Sequence, residues 1–213
     1  MAALLHLERQ PAAEPEGLLV LHHGRGTDET DLLGLADRLD PGRRLRIVTP
    51  RAPLTLQGSP GHHWYLVPRV GFPDPTTFHA ARAALSELHD ELWAETGVGP
   101  ERTVLGGFSM GSVMSYAMGL DGARPPVAGI LAFSGFVPTV DGWEPSLADR
   151  QATLAFVAHG RRDPVMEVGF ARRARDLLEA GGLEVTYRES DVGHQIDPAH
   201  LADAAAWLAS AVS

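Results

Sequence analysis

Residues 127–135 (VAGILAFSG) and 152–160 (ATLAFVAHG) are apolar almost without a break. A strand of that composition has no face to offer water. It needs cover on both sides, as strands have inside a parallel sheet flanked by helices. The rest of the chain fits this requirement. Strands are predicted over 17–24 (GLLVLHHG), 45–50 (LRIVTP), 102–108 (RTVLGGF) and 183–190 (LEVTYRES). Helices are predicted over 29–39, 74–97, 109–120, 168–181 and 198–212, with acids in the first turn of 29–39, Pro75 at the start of the second and Gly97 at its end. Neither an internal repeat nor a linker interrupts the alternation. The expectation is α/β: one domain over 1–213, with a mostly parallel, doubly wound sheet and helices on both faces.

The 213 residues carry a net charge of −9, which disfavours nucleic acid as a partner. There is no Cys, so disulfides, thiolate metal sites and a thiol nucleophile are excluded. There is also no Lys, so all 18 basic residues are Arg. That excludes a P-loop lysine, a Schiff-base lysine and a Ser-Lys dyad. No apolar stretch approaches the ~20 residues of a membrane span, and the N-terminus lacks the basic start of a signal peptide. A cytoplasmic location is expected.

Gly107-Phe108-Ser109-Met110-Gly111 falls between a predicted strand and a predicted helix. G-x-S-x-G alone is a weak signal, and a serine there could simply cap the helix. The strand–turn–helix context makes it a candidate nucleophile elbow. The serine would take a strained backbone, with Gly107 and Gly111 relieving the crowding around it. A serine hydroxyl needs a general base, and the base needs an orienting acid. His194 and Asp163 are the candidates, each following a predicted strand, where open α/β sheets place their sites. Asp163 could instead be a turn or capping residue before Pro164. Asp191 is a competing acid, and His159 and His200 are competing bases. The oxyanion would rest on two backbone amides, one from Met110 and one from the glycine-flanked Arg25.

Other readings of the same segments fail. A G-x-G-x-x-G fingerprint starting at Gly24 would need glycine at 29, where the chain has Glu29. A P-loop starting at Gly106 would need lysine at 112, where the chain has Ser112. The pairs His22-His23 and His62-His63 lack the spacing of a zinc motif, so no metal and no cofactor is expected.

The segments LHHGRGTDETDLL, GFSMGS, FSGFVP, HGRRDPV and GHQI stand in the order and spacing of the phospholipase/carboxylesterase family of α/β-hydrolases, and the chain resembles that family over about residues 17–212. The resemblance implies an α/β-hydrolase fold, a Ser109–Asp163–His194 triad and an oxyanion hole from the Arg25 and Met110 amides. It also implies an acyl groove bordered by the 51–75 loop with Trp64; Leu66 of that loop, Gly24 and Phe136 are further candidate substrate contacts. Met110 and Ser112 stand where the eukaryotic thioesterases of the family carry Gln and Gly, which places the chain nearer the bacterial esterases. The family also makes a homodimer a possibility.

The expected activity is hydrolysis of a small-molecule ester with a short to medium acyl chain, through an acyl-enzyme. The chain leaves no room for a separate lid domain, which argues against action at an oil interface. Two alternatives stand beside it. One is an acyl-thioesterase or lysophospholipase using the same triad. The other is a non-catalytic ligand-binding member of the fold. Arg25 could also meet an anionic leaving group.

Overall fold

The structure is a computed structural model that describes residues 4–213. Its centre is a seven-stranded sheet of order β1-β3-β2-β6-β7-β8-β9. The strands are β1 (His6–Arg9), β2 (Gly17–His22), β3 (Leu45–Pro50), β6 (Thr103–Phe108), β7 (Gly129–Phe133), β8 (Leu154–Gly160) and β9 (Val185–Ser190). All pair in parallel except β1, which runs antiparallel along the edge of β3. A two-stranded hairpin, β4 (Leu54–Thr55) and β5 (His62–His63), folds within the 51–75 segment.

The helices are α1 (Ala36–Leu39), α2 (Pro75–Thr96), α3 (Met110–Gly119), α4 (Gly169–Ala180) and α5 (Leu201–Ala211). The period-2 geometry of a strand sends alternate side chains to opposite faces. Leu18 and Val20 of β2 accordingly join a core under α2, α3 and α4, while Leu19 and Leu21 join a second core under α1 and α5. Both faces are covered, as the apolar runs require. Every residue of α3 is buried, so this helix lies inside the protein between sheet and α2. Helix α2 is bounded by the signals in its sequence. The Asp74 carboxylate accepts from the Thr77 amide at 2.9 Å, Pro75 opens the first turn, and Gly97 ends it at φ 66°.

The expected helix over 29–39 is replaced by turns, a 3₁₀ turn at Leu33–Leu35 and the single turn α1. The acids that would start it are used elsewhere: Asp31 accepts from the Thr27 hydroxyl at 3.1 Å, and Glu29 is paired with Arg51. Likewise, 198–200 is a 3₁₀ turn ahead of α5 rather than its first turn. Strand β1 was not anticipated.

Among the described residues no helix is long and apolar enough to cross a membrane. Strand order reverses at β2, whose neighbours are β3 on one side and β6 on the other. The loops after β2 and β6 therefore meet at the switch point of the sheet, where ligands of such sheets bind.

Candidate active site

Ser109 occupies that switch point, between β6 and α3, at φ 56° and ψ −119°. Positive φ is costly for a residue with a β-carbon, and the surroundings must hold it there. They do so on several sides. The Ser109 amide donates to the Phe133 carbonyl at 2.9 Å, and the Ser112 hydroxyl sits between the Gly107 and Phe133 carbonyls at 2.6 and 2.8 Å. A β-carbon on Gly107 would fall 2.5 Å from the backbone of Gly111. The two glycines thus relieve crowding of the turn against itself and against β2, rather than against the serine side chain.

His194 lies in the loop between β9 and α5. Its Nε2 is 2.8 Å from Ser109 Oγ and its Nδ1 is 2.6 Å from Asp163 Oδ2. The ring lies against Phe108, with centroids 4.9 Å apart. Asp163 follows β8 and its side chain is fully buried. Its Oδ1 accepts from the Val165 and Met166 amides, both at 2.8 Å, while Oδ2 faces His194. The turn role and the acid role considered for Asp163 belong to two oxygens of one carboxylate.

The competing residues lie apart from the hydroxyl. Asp191 pairs with Arg161 at the surface, and His200 stands in the turn before α5. His159 is buried beside Asp163, with Nε2 at 2.8 Å from the Met166 carbonyl and 3.4 Å from Asp163 Oδ2. Burial lowers its pKa, and the Met166 carbonyl and then the aspartate only partly offset this.

Among the described residues, neither the Arg25 nor the Met110 backbone N–H donates to a protein acceptor. The loop that carries Arg25 is braced from below. The His23 ring accepts from the Ala52 amide at Nε2, 3.0 Å, which leaves the proton on Nδ1 to donate to the Gly24 carbonyl, 2.7 Å. Burial lowers the pKa of this ring and favours its neutral form. Gly26, at φ 87°, donates to the His62 carbonyl, so the hairpin holds the loop from the side.

Two cavities flank Ser109. One, of about 420 Å³, is walled by Tyr65, Val67, Val70, Phe136, Val165 and Met166. The other, of about 360 Å³, runs along Leu32, Leu35, Phe108, Gln195 and Ile196. Arg25, Ser109 and His194 border both.

The four expected substrate contacts divide. Phe136 walls the first cavity and Gly24 the second. Trp64 and Leu66 line neither. Trp64 is wholly buried, its indole N–H donating to the His23 carbonyl at 2.9 Å, because a ring of that size with one donor packs best beneath the loop it can bond. Leu66 projects into solvent, 50% exposed, the first of five consecutive exposed residues after the buried Tyr65. Arg69, Val165 and Met166 were not anticipated as cavity residues. The last two follow the candidate acid directly, and that adjacency was the available signal.

The phospholipase/carboxylesterase family model matches residues 9–212 of the chain. A carboxylesterase of Bacillus cereus superposes with a TM-score of 0.86 at 24% identity, covering 99% of this chain and 95% of its own, a likeness of fold. Esterase PE8 superposes with a TM-score of 0.82 at 28% identity, covering 98% and 99%. Acyl-protein thioesterase 1 of Gibberella zeae is 33% identical over 119 residues, 54% of this chain. The matches to it and to its counterparts in Emericella nidulans and Aspergillus fumigatus span about half the length of those relatives. The thioesterase of Mycosarcoma maydis aligns over 96% of this chain and 95% of its own length at 28% identity. With the family matched over nearly its whole length, this chain belongs to the phospholipase/carboxylesterase family of α/β-hydrolases.

Proposed function

We propose that the chain hydrolyses carboxylic esters of short- to medium-chain acids through an acyl-enzyme on Ser109. The observation that carries this is the continuous Ser109–His194–Asp163 chain, with contacts of 2.8 and 2.6 Å. Asp163 holds the Nδ1–H of His194, so Nε2 faces the serine as an acceptor. As Ser109 Oγ attacks the carbonyl carbon, Nε2 takes its proton, and the buried carboxylate stabilises the imidazolium. The oxyanion is received by the free Arg25 and Met110 amides at the positive end of α3. Collapse breaks the bond to the alcohol, which leaves with the proton from Nε2. Water then repeats the sequence, giving the free acid and restoring the serine.

The open, largely apolar cavity beside Ser109 supports small esters that reach the site from solution. A p-nitrophenyl ester series of increasing acyl length tests the proposal. Turnover with an optimum at short or medium length, and labelling of Ser109 by a fluorophosphonate, are the expected results. Absence of both would leave the non-catalytic reading in its place.

Thioester hydrolysis is the second reading, favoured by the curated thioesterase relatives. The same residues serve it. Matched oxygen and thiol esters of one acid separate the two by their kcat/KM.

A further inference from the structure

The cavity walled by Phe136 and Met166 is bordered by two arginines and by no carboxylate. That is unusual in a chain of net charge −9. Ten of the eighteen arginines are committed: Arg9, Arg44, Arg46, Arg51, Arg82, Arg124, Arg161, Arg172, Arg175 and Arg188 all hold carboxylates at 3.1 Å or less. Among the described residues, Arg25 and Arg69 hold none. The Arg69 guanidinium lies 3.6 Å from the centroid of the Phe72 ring. Stacking on an aromatic face fixes the plane of the guanidinium and leaves its edge N–H groups free, the arrangement that suits an anionic oxygen pair. Arg25 sits at the other border, beside Ser109 itself.

The second cavity differs. It includes Asp31 beside Arg25 and is bordered by Gln195 and Ile196, which follow His194. His194 borders both cavities, but the residues that follow it line only this one, so the alcohol that takes its proton is assigned to this side. The acyl group then fills the cavity of Phe136 and Met166, and its far end meets the arginines.

We propose that the substrate is an ester whose acyl group ends in an anion, a carboxylate or a phosphate-type group, held by Arg69 and Arg25 while its methylene chain lies on Val67, Val70, Phe136 and Met166. The proposal rests on the esterase reading and names the substrate class for the same serine.

The test compares mono-4-nitrophenyl esters of glutaric, adipic and suberic acid with the same compounds capped as methyl esters. The cap removes the charge and keeps the chain. A 4-nitrophenyl ω-phosphonoalkanoate series of the same lengths forms the second arm, and the larger advantage identifies the natural head group. At one or more lengths the anionic ester should be turned over with kcat/KM about tenfold above its capped partner, the scale of one or two charge-assisted hydrogen bonds. That ratio should fall toward one in Arg69→Gln and in Arg25→Gln, and also as salt rises, since the arginines face solvent. The ratio is the readout, whatever each variant does to absolute rates. Capped esters turned over as well as both anionic series at every length would overturn the anionic substrate while leaving the esterase intact. No nitrophenolate from any ester, with no labelling of Ser109, would instead remove the esterase reading itself.

Discussion

A β-carbon on Gly111 would lie 1.9 Å from the carbonyl oxygen of His22, at the end of β2. The first turn of α3 therefore rests directly on the strand that carries the Arg25 loop, backbone against backbone. Neither side can retreat, because α3 and β2 are buried along their whole lengths. Gly111→Ala should destabilise the protein by about 3 kcal/mol, the upper range for overpacking, and lower esterase turnover as the Arg25 and Met110 amides separate. Gly34→Ala, where a β-carbon meets nothing within 4 Å, is the control and should be near neutral. Urea denaturation of the two variants checks the contrast.

Ser109→Ala should leave the fold intact and remove the nitrophenolate burst, with kcat falling by about 10⁴ or more. Asp163→Asn should keep the contacts of the turn through the amide oxygen but present the wrong group to His194 Nδ1, costing roughly 10³–10⁴ in kcat. Pre-steady-state kinetics with circular dichroism as the fold check distinguish these from unfolding. An Asp163→Asn enzyme with wild-type kcat would sink the assigned acid.

Trp64→Phe keeps most of the buried ring and removes one donor. The His23 carbonyl then loses its 2.9 Å partner in a dry site. The cost should be about 1–3 kcal/mol of stability. Because the next residues carry the Arg25 amide, kcat should drop by about tenfold, the effect of loosening one oxyanion donor. KM should change little, since Trp64 lines neither cavity. A KM effect without a kcat effect would contradict a positioning role.

His89 is buried on α2 near His22, and burial pushes its pKa down to about 3, with Arg124 adding to the depression and Asp90 opposing it. The sign follows from proton counting. Between the depressed folded value and the ordinary 6.5, the unfolded chain binds the proton and the folded one does not. Stability from this ring is therefore complete above pH 6.5 and lost as the pH falls. The loss between pH 7 and pH 5 should be about 2 kcal/mol. His22, also lowered by burial, adds in the same direction. His89→Leu should flatten the decline by that amount in urea midpoints taken at the two pH values. Parallel curves for variant and wild type would rule the ring out as a source of acid sensitivity.

What the sequence revealed follows from how each signal arises. The buried strands announced themselves because cover on both faces demands unbroken apolar runs. Ser109 and Asp163 stood out because each follows a strand of that kind, and His194 because it falls between the strand 183–190 and the last helix; the structure brings their side chains together. The helix over 29–39 misled because Glu29 and Asp31, acids well placed for a first turn, are held by Arg51, a partner set by tertiary structure, and by the Thr27 hydroxyl. Strand β1, HLER, is a short half-exposed edge with neither continuous apolarity nor alternation to mark it. Trp64 was expected at the groove since it lies in the loop beside it. In the bend after β5, Tyr65 reaches the cavity wall while Trp64 is buried beneath the Arg25 loop, bonded to the His23 carbonyl, and the sequence of the loop marks no difference between them.

Complete enclosure of α3 also divides labour in the catalyst. The proposed nucleophile is mounted at the start of a helix with no exposed residue, and its neighbours have no room to yield to a bulkier guest. Accommodation has to come from the opposite wall, where Val67, Val70 and Val165 stand 41%, 38% and 52% exposed. Retuning this enzyme toward longer or branched acids is thus work for those two surface loops, with the Gly107–Gly111 turn left as it is.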